Sequence, residues 1–536
     1  MQEKAIDQWT REIPVIASRG VITDRNGVVL ASNADTYTVF VRKSAVDNTE
    51  ELARTLSDVL ELDYLDVYDR LTRTVSSEIT LKKNVKKDKI DQLIACDMSG
   101  VYYSRDNFRV YPYNHLLSSV LGFTSSDGKG QAGLELYYDK YLSGIDGEIL
   151  YETDIVGVET PNGSASYIPA TDGLNIKLTI DYEIQELCDT AMEEAYTVHK
   201  AKSTQMLVLD PSSGEILAMT NKPSYNLNDV PRNDLDLLHS LTRNNLISDM
   251  YEPGSTFKIL TTAANVEEYL LGNKSAYSTS HIFNSSRYRY VDGQRVKCWS
   301  DHKNGKHSCL NIQGALNNSC NPIFVDMAMS LGKQTMYKYI NLFGYGKVTG
   351  IDFLGEAQGM VLPSSAIQNM DLARIAFGQT IAVTGLQLAT ATASAVNGGY
   401  YYQPYLVKEI YKNNSLIAEK IQPKMKNRTI SENASKILSS LLEGVVKEGS
   451  GKQAYIEGYR VAGKTGTAQK YKDGVISVGK YVSSFIGYFP ANNPKYLALV
   501  IVDEPVGSYY GSTVAAPYAR QVFEGIINCK KLSKNF

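Results

Sequence analysis

The stretch YEPGSTFKILTTAANVEEYLL, residues 251–271, sets Ser255 and Lys258 three positions apart at the start of an apolar-periodic segment. On a helix, positions i and i+3 share a face, so this spacing predicts a lysine amine within reach of a serine hydroxyl. Pro253 and Gly254 suit the turn into a helix, whose free N–H groups and dipole favour a developing negative charge. A nucleophile fits there. Ser-x-x-Lys also occurs at Ser126, Ser300, Ser330 and Ser477, but these lie in Gly-containing loops, run into Gly332, or fall between strand patterns. Only Ser255 opens a long helical segment.

Two further elements follow in order: Ser319-Cys320-Asn321, and Lys464-Thr465-Gly466-Thr467 after an apolar Val-Ala pair. Ser-x-Asn recurs at Ser224, Ser431 and Ser533, whereas Lys-Thr-Gly occurs once. Each motif alone reads as a helix cap, a loop or a surface lysine. The ordered set SxxK, SxN, KTG is the signature of the penicillin-binding serine acyltransferases, and its specificity lies in the combination.

The rest of the chain is consistent with a large two-part enzyme. Its 536 residues exceed one ordinary core. With 43% hydrophobic residues, 21% charged residues and a net charge of −3, it offers no basic field for nucleic acid. No apolar run reaches the ~18 residues of a membrane span, and the start MQEKAIDQWTREIP has no signal-peptide pattern. The expectation is a soluble chain, either cytosolic or lacking an N-terminal membrane segment.

Residues 1–170 alternate strand patterns and turns, with a predicted hairpin over RGVITDRNGVVLAS (19–32), where Asn26-Gly27 supplies positive φ. The patch LKKNVKKDK (81–89) reads as a solvated helix face. Residues 171–536 open with a strand in GLNIKLTID and a helix after it. They contain a hairpin from MLVLD and EILAMT around Pro211–Gly214, a second from YVSSFIGYFP and KYLALVIVDEP, and a closing helix through APYARQVFEGIINC. Strands from both ends with helices between predict an α/β (α+β) fold, one antiparallel sheet flanked by helices, behind a β-rich N-terminal domain. Cys96, Cys188 and Cys529 sit in helical apolar contexts and read as inert core residues.

YEPGSTFK, NNSCNP, FGQTIAVTGLQLATA and VAGKTGTAQ resemble the class B penicillin-binding proteins, the monofunctional peptidoglycan transpeptidases. RGVITDRNG, RVYP (109–112) and GQAGLELYYD (130–139) resemble that family's pedestal motifs. The resemblance implies a pedestal or dimerisation-type domain over 1–170 and a transpeptidase domain over 171–536. It also implies a structural ion pair between Arg19 and Glu135. AIDQWTREIPVIASRG looks most like the sporulation and septal-division branch. Such a protein cross-links peptidoglycan stem peptides and takes β-lactams as covalent inhibitors. It works beside a membrane glycosyltransferase, outside the cell membrane on a single N-terminal helix that this chain lacks.

The chemistry can be written out. A serine needs a base, and a free lysine with pKa about 10.4 is protonated at neutral pH, so burial and a second cation are needed to neutralise it. Lys258 is the expected base, with Lys464 as the neighbouring cation. Ser319 relays the proton to the leaving amine, and Asn321 holds the substrate amide and orients Lys258. Lys464–Thr467 reads as a sheet edge onto which an acyl-D-Ala-D-Ala peptide adds as a strand, with Gly466 allowing close approach. By resemblance, the N–H groups of Ser255 and Thr467 form the oxyanion hole, at roughly 3–4 kcal/mol per donor. The hydroxyls of Thr465 and Thr467 take the terminal carboxylate. The rival readings are a carboxypeptidase or β-lactamase, a β-lactam sensor or idle scaffold, and a zinc hydrolase. No deacylating base is recognisable for the hydrolytic readings, the intact motifs argue against the idle one, and a closed metal site argues against the last.

One stretch falls outside this scheme. CWSDHKNGKHSC (298–309) gathers Cys298, Asp301, His302, His307 and Cys309, in a chain with six cysteines and six histidines, and ends ten residues before Ser319. Zinc takes four N, S or O donors, and Cys298, His307 and Cys309 with either Asp301 or His302 supply them. A Cys298–Cys309 disulfide leaves the histidines unexplained, and free thiols leave the whole cluster so. A metal closed by four protein ligands has no place for a reacting water, so the predicted zinc is structural and no cofactor serves catalysis.

Overall fold

The stretch 19–32 forms the expected hairpin, Ile22–Thr23 antiparallel to Val29–Arg42. The computed structural model describes residues 10–152, 165–284, 286–302, 310–412, 416–472 and 475–534. Within the turn, Gly27 takes the positive φ (+94°) and Asn26 does not. The side chain of Asp24, fully buried, sets the turn instead. Its carboxylate accepts the N–H groups of Asn26 (2.7 Å), Val28 (2.8 Å) and Tyr182 (3.0 Å), which clamps the hairpin to the first residue of the helix Tyr182–His199.

The lysine-rich patch corrects the expectation of a helix face. Its first half belongs to the strand Glu78–Val85, where Ile79, Leu81 and Val85 are buried in an alternating pattern, and a helix begins only at Lys87. The buried positions Ile79, Leu81 and Val85 carry the strand, with Lys82 half-buried and Lys83 exposed.

Arg19 and Glu135 form the expected ion pair, at 2.6 Å, with Glu135 wholly buried. The network is larger than a pair. Arg109 donates to the other Glu135 oxygen at 2.7 Å, and Arg19 also meets Asp139 at 2.7 Å. The strand Asn175–Leu178, read as the opening of the second region, pairs in parallel with Ile22–Thr23 and antiparallel with Val407–Tyr411. One seven-stranded sheet therefore joins N-terminal strands to strands from beyond residue 400, ending in Ile417–Lys420.

The five-stranded antiparallel sheet runs Ile216–Lys222, Ser203–Leu209, Tyr496–Asp503, Val475–Phe489, Ala462–Lys472, so both predicted hairpins are present and Ala462–Lys472 lies at the edge. Both faces are covered. Leu207, Leu209, Leu497 and Leu499 pack with the helices Lys258–Leu270, Asn321–Leu342 and Gly385–Val396. Met206, Val208, Ala498 and Val500 pack with Tyr182–His199 and the closing helix Ala516–Cys529. Each large apolar side chain so buried contributes about 1.5–3 kcal/mol, which explains why the central strands read as continuous apolar runs. Of the three cysteines read as core, Cys188 is buried, Cys529 is half-buried and Cys96, just past a helix end, is exposed. Among the described residues, no helix is long and apolar enough to cross a membrane.

Candidate active site

Ser255 sits in a 3₁₀ turn, Gly254–Phe257, that leads directly into the helix Lys258–Leu270. Gly254 has φ +55°, and a Cβ there would lie 3.3 Å from the Thr467 carbonyl oxygen, so the turn is held close to the edge strand. The i, i+3 spacing acts as expected: Lys258 Nζ lies 3.1 Å from Ser255 Oγ.

Lys258 is fully buried and gathers the second motif around it. Its amine lies 2.9 Å from the Ser319 carbonyl oxygen, 3.0 Å from Ser319 Oγ and 2.6 Å from Asn321 Oδ1, and Ser319 Oγ lies 2.9 Å from Ser255 Oγ. Two of these partners, a carbonyl and an amide oxygen, can only accept. A neutral amine satisfies both with its two hydrogens and leaves its lone pair to the hydroxyls. Burial favours that form, pushing Lys258 down to about 8.

Lys464 is also fully buried, and its amine donates to the Thr465 carbonyl at 3.2 Å. Burial first, then Lys258, push it well below its ordinary range. This changes the expected division of labour. Burial, and not Lys464, is the first cause of the shift at Lys258, and it is the first cause at Lys464 as well.

On the edge strand, Gly466 pairs with Ser484, and a Cβ on Gly466 would sit 2.4 Å from Ser484 Oγ and 3.0 Å from Thr256 Cγ2. Glycine therefore lets the strand pack onto the turn that carries Ser255. Thr465 and Thr467 face the cleft, Thr465 bonded to Ser450 Oγ (3.2 Å) and Thr467 Oγ1 accepting the Gly511 N–H (3.1 Å). The cleft, about 700 Å³, brings Ser255, Ser319, Asn321, Thr465 and Thr467 to one surface.

Sequence reasoning missed Trp299. Its indole N–H lies 3.1 Å from the carbonyl oxygens of both Asn318 and Ser319, so it braces the turn where Ser319 adopts φ +50°. Its rarity in the sequence, one of two tryptophans, was the available signal. The stacked Tyr481 and Tyr509, 4.1 Å between ring centroids, form another unforeseen part of the cleft wall.

The cysteine and histidine cluster is rearranged. Cys298, His302 and Cys320 bring their ligand atoms within 4.8 Å of one another, with Cys320 Sγ 3.8 Å from His302 Nε2. A hydrogen bond with Cys298 and burial push the Cys320 thiol up. Cys320, the central residue of Ser319-Cys320-Asn321, is not among the five ligands expected from the sequence. Asp301 pairs with Arg287, and His307 and Cys309 lie outside the described residues.

Residues 204–524 match the family described as the penicillin binding protein transpeptidase domain, and residues 14–178 the penicillin-binding protein dimerisation domain. The chain is 40% identical over 517 residues to stage V sporulation protein D of Bacillus subtilis, covering 96% of this chain and 78% of that one. It is 27% identical over 521 residues to peptidoglycan D,D-transpeptidase FtsI of Escherichia coli, covering 96% and 84%. In fold it matches penicillin binding protein 3 of Mycobacterium tuberculosis in complex with aztreonam, with TM-score 0.74, 22% identity and 98% of each chain covered. It also matches a peptidoglycan synthetase of Bifidobacterium adolescentis, with TM-score 0.77, 24% identity and 98% of each chain covered.

Proposed function

The chain belongs to the class B penicillin-binding proteins, and from that premise we propose that it is a peptidoglycan D,D-transpeptidase of sporulation or division that works through an acyl-enzyme on Ser255. The observation that carries this reading is the hydrogen-bonded triangle of Ser255 Oγ, Lys258 Nζ and Ser319 Oγ, closed by the two obligate acceptors on Lys258.

Ser255 Oγ attacks the carbonyl of the penultimate D-Ala while its proton passes to neutral Lys258. Ser319 relays a proton to the departing amine as the peptide C–N bond breaks and D-Ala leaves. The ester on Ser255 is then opened by an amine of a neighbouring strand, which loses its proton to Lys258 and restores the serine. The edge strand holds the donor, with the Thr465 and Thr467 hydroxyls for its carboxylate and the Ser255 and Thr467 N–H groups for the oxyanion. A β-lactam enters the same path and stays as a stable ester. The catalytic domain works outside the cell membrane, where its polymer is, alongside a glycosyltransferase that makes the glycan.

The neutral fraction of Lys258 grows as pH rises through about 8. Acylation by benzylpenicillin is therefore expected to quicken through that range and level off above it, because the base works only when deprotonated. Stopped-flow rates across the range test this, and a flat profile on both sides of about 8 would remove Lys258 from the role.

Zinc on Cys298, His302 and Cys320 is the second part of the proposal. A tetrahedral ion with bonds of roughly 2.0–2.3 Å holds its donors ~3.5 Å apart, and the 3.8 Å between Cys320 Sγ and His302 Nε2 suits it. Asp301, one of the expected donors, is engaged by Arg287 instead. Cys298, His302 and Cys320 would hold the ion, which would staple the Cys298 loop to the turn that carries Ser319 and Asn321. Chelation or Cys298→Ser is expected to lower the melting temperature and slow penicillin acylation without abolishing it. Unchanged melting, with no zinc found by elemental analysis, would sink the assignment.

A further inference from the structure

The wall of the cleft that holds the hairpin Tyr288–Val291 and Gln294–Lys297 is cationic. Val291 and Val296 bury the inner side of this hairpin, which packs on the helices Asn321–Leu342 and Asn369–Ile375. Arg295 and Lys297 line the cleft from the hairpin, and Arg374 lines it from the second helix. Among the described residues, no aspartate or glutamate lines the cleft.

The cations of this region divide into two sets. Arg289 is held by both oxygens of Asp326 at 2.7 Å, and Arg287 pairs with Asp301, so both serve the fold. Arg295 and Lys297 have no carboxylate partner among the described residues, and Arg295 is steadied by lying 4.6 Å over the Tyr288 ring. Arg374 sits near Glu252, whose carboxyl already accepts the Thr380 N–H. The hairpin thus presents to whatever enters the cleft two charges that have no carboxylate partner among the described residues.

We propose that Arg295 and Lys297 form a subsite for free carboxylates on the donor peptide upstream of the scissile bond, selecting an acyl donor whose side chains are anionic over one in which they are amidated. The proposal rests on the transpeptidase reading and adds the substrate class. The donor's terminal carboxylate is already assigned to Thr465 and Thr467 on the edge strand, so the hairpin needs a second anionic group, and a third residue bearing its own side-chain carboxylate supplies one. Two partly exposed pairs together amount to about a tenfold preference, weakened by salt.

The test is protection of Ser255 from penicillin. Two D-Ala-D-Ala stem peptides, identical except that the third-residue carboxylate is free in one and amidated in the other, compete with a fluorescent penicillin for the wild-type enzyme. The free-carboxylate peptide is expected to protect at about tenfold lower concentration, and the ratio to fall towards one in the Arg295→Gln, Lys297→Gln double variant and in high salt. Equal protection by both peptides in the wild type, or an unchanged ratio in the double variant, overturns the subsite while leaving the acyl-enzyme intact. Absence of any penicillin adduct on the wild type overturns the function itself and the subsite with it.

Discussion

Ser255→Ala is expected to abolish the single adduct that intact-protein mass spectrometry detects after incubation with benzylpenicillin, and to lower transpeptidation by about a millionfold, the scale of losing a serine nucleophile elsewhere. The expectation is specific because the surroundings of Ser255 survive the change. The turn Gly254–Phe257 is fixed by its contacts with the edge strand, and Lys258 keeps the Ser319 carbonyl and Asn321 as partners. The variant should therefore fold and melt like the wild type. Adduct formation at any other residue, or retained transpeptidation with unchanged melting, would reject Ser255. The lifetime of the wild-type adduct separates the rivals: rapid loss indicates a hydrolase, and no adduct a scaffold.

Glu135→Gln is expected to cost about 3–5 kcal/mol, the penalty for leaving buried charges without their partner. Glu135 is wholly buried and accepts Arg19 at 2.6 Å and Arg109 at 2.7 Å, with the Tyr111 hydroxyl 3.3 Å away. Arg19 would retain Asp139, but Arg109 would be left with the Gly20 carbonyl and the Asn33 amide oxygen, neither of them charged. Glutamine keeps the shape and removes the charge, so the loss reports electrostatics and not a cavity. Urea unfolding followed by circular dichroism measures it as an earlier first transition. A midpoint within error of the wild type would show that these guanidinium groups are solvated or compensated elsewhere.

The parts of the site that were legible in the sequence depend on short spacings. Ser255 and Lys258 meet because three positions on a helical turn share a face, whereas the packing of Gly466 against Ser484 and the nucleophile turn is seen only in the fold. The hairpins of the catalytic sheet were legible because their apolar runs and turn residues are local. What stayed hidden depends on distant neighbours. Cys320 looks like a spacer until the fold brings Cys298 and His302 to it, and Trp299 becomes a brace only when the Ser319 turn is beside it. The lysine patch misled because its charge drew attention from the period-two pattern of Ile79, Leu81 and Val85. For Lys464 the sequence gives the residue but not its burial, which pushes its amine well below the ordinary lysine range.

The seven-stranded sheet carries a consequence for the order of assembly. Ile22–Thr23 takes its neighbour from Asn175–Leu178, which in turn takes its own from Val407–Tyr411. A ribosome delivers these segments far apart in time, at about 5–20 residues per second. The hairpin Ile22–Thr23 and Val29–Arg42 therefore emerges long before a strand almost four hundred residues downstream that its sheet needs to be complete. Until then the edge of Asn175–Leu178 stands open, a ready template for wrong pairing. The two halves are thus coupled during synthesis, and an early-made hairpin is among the last parts to close.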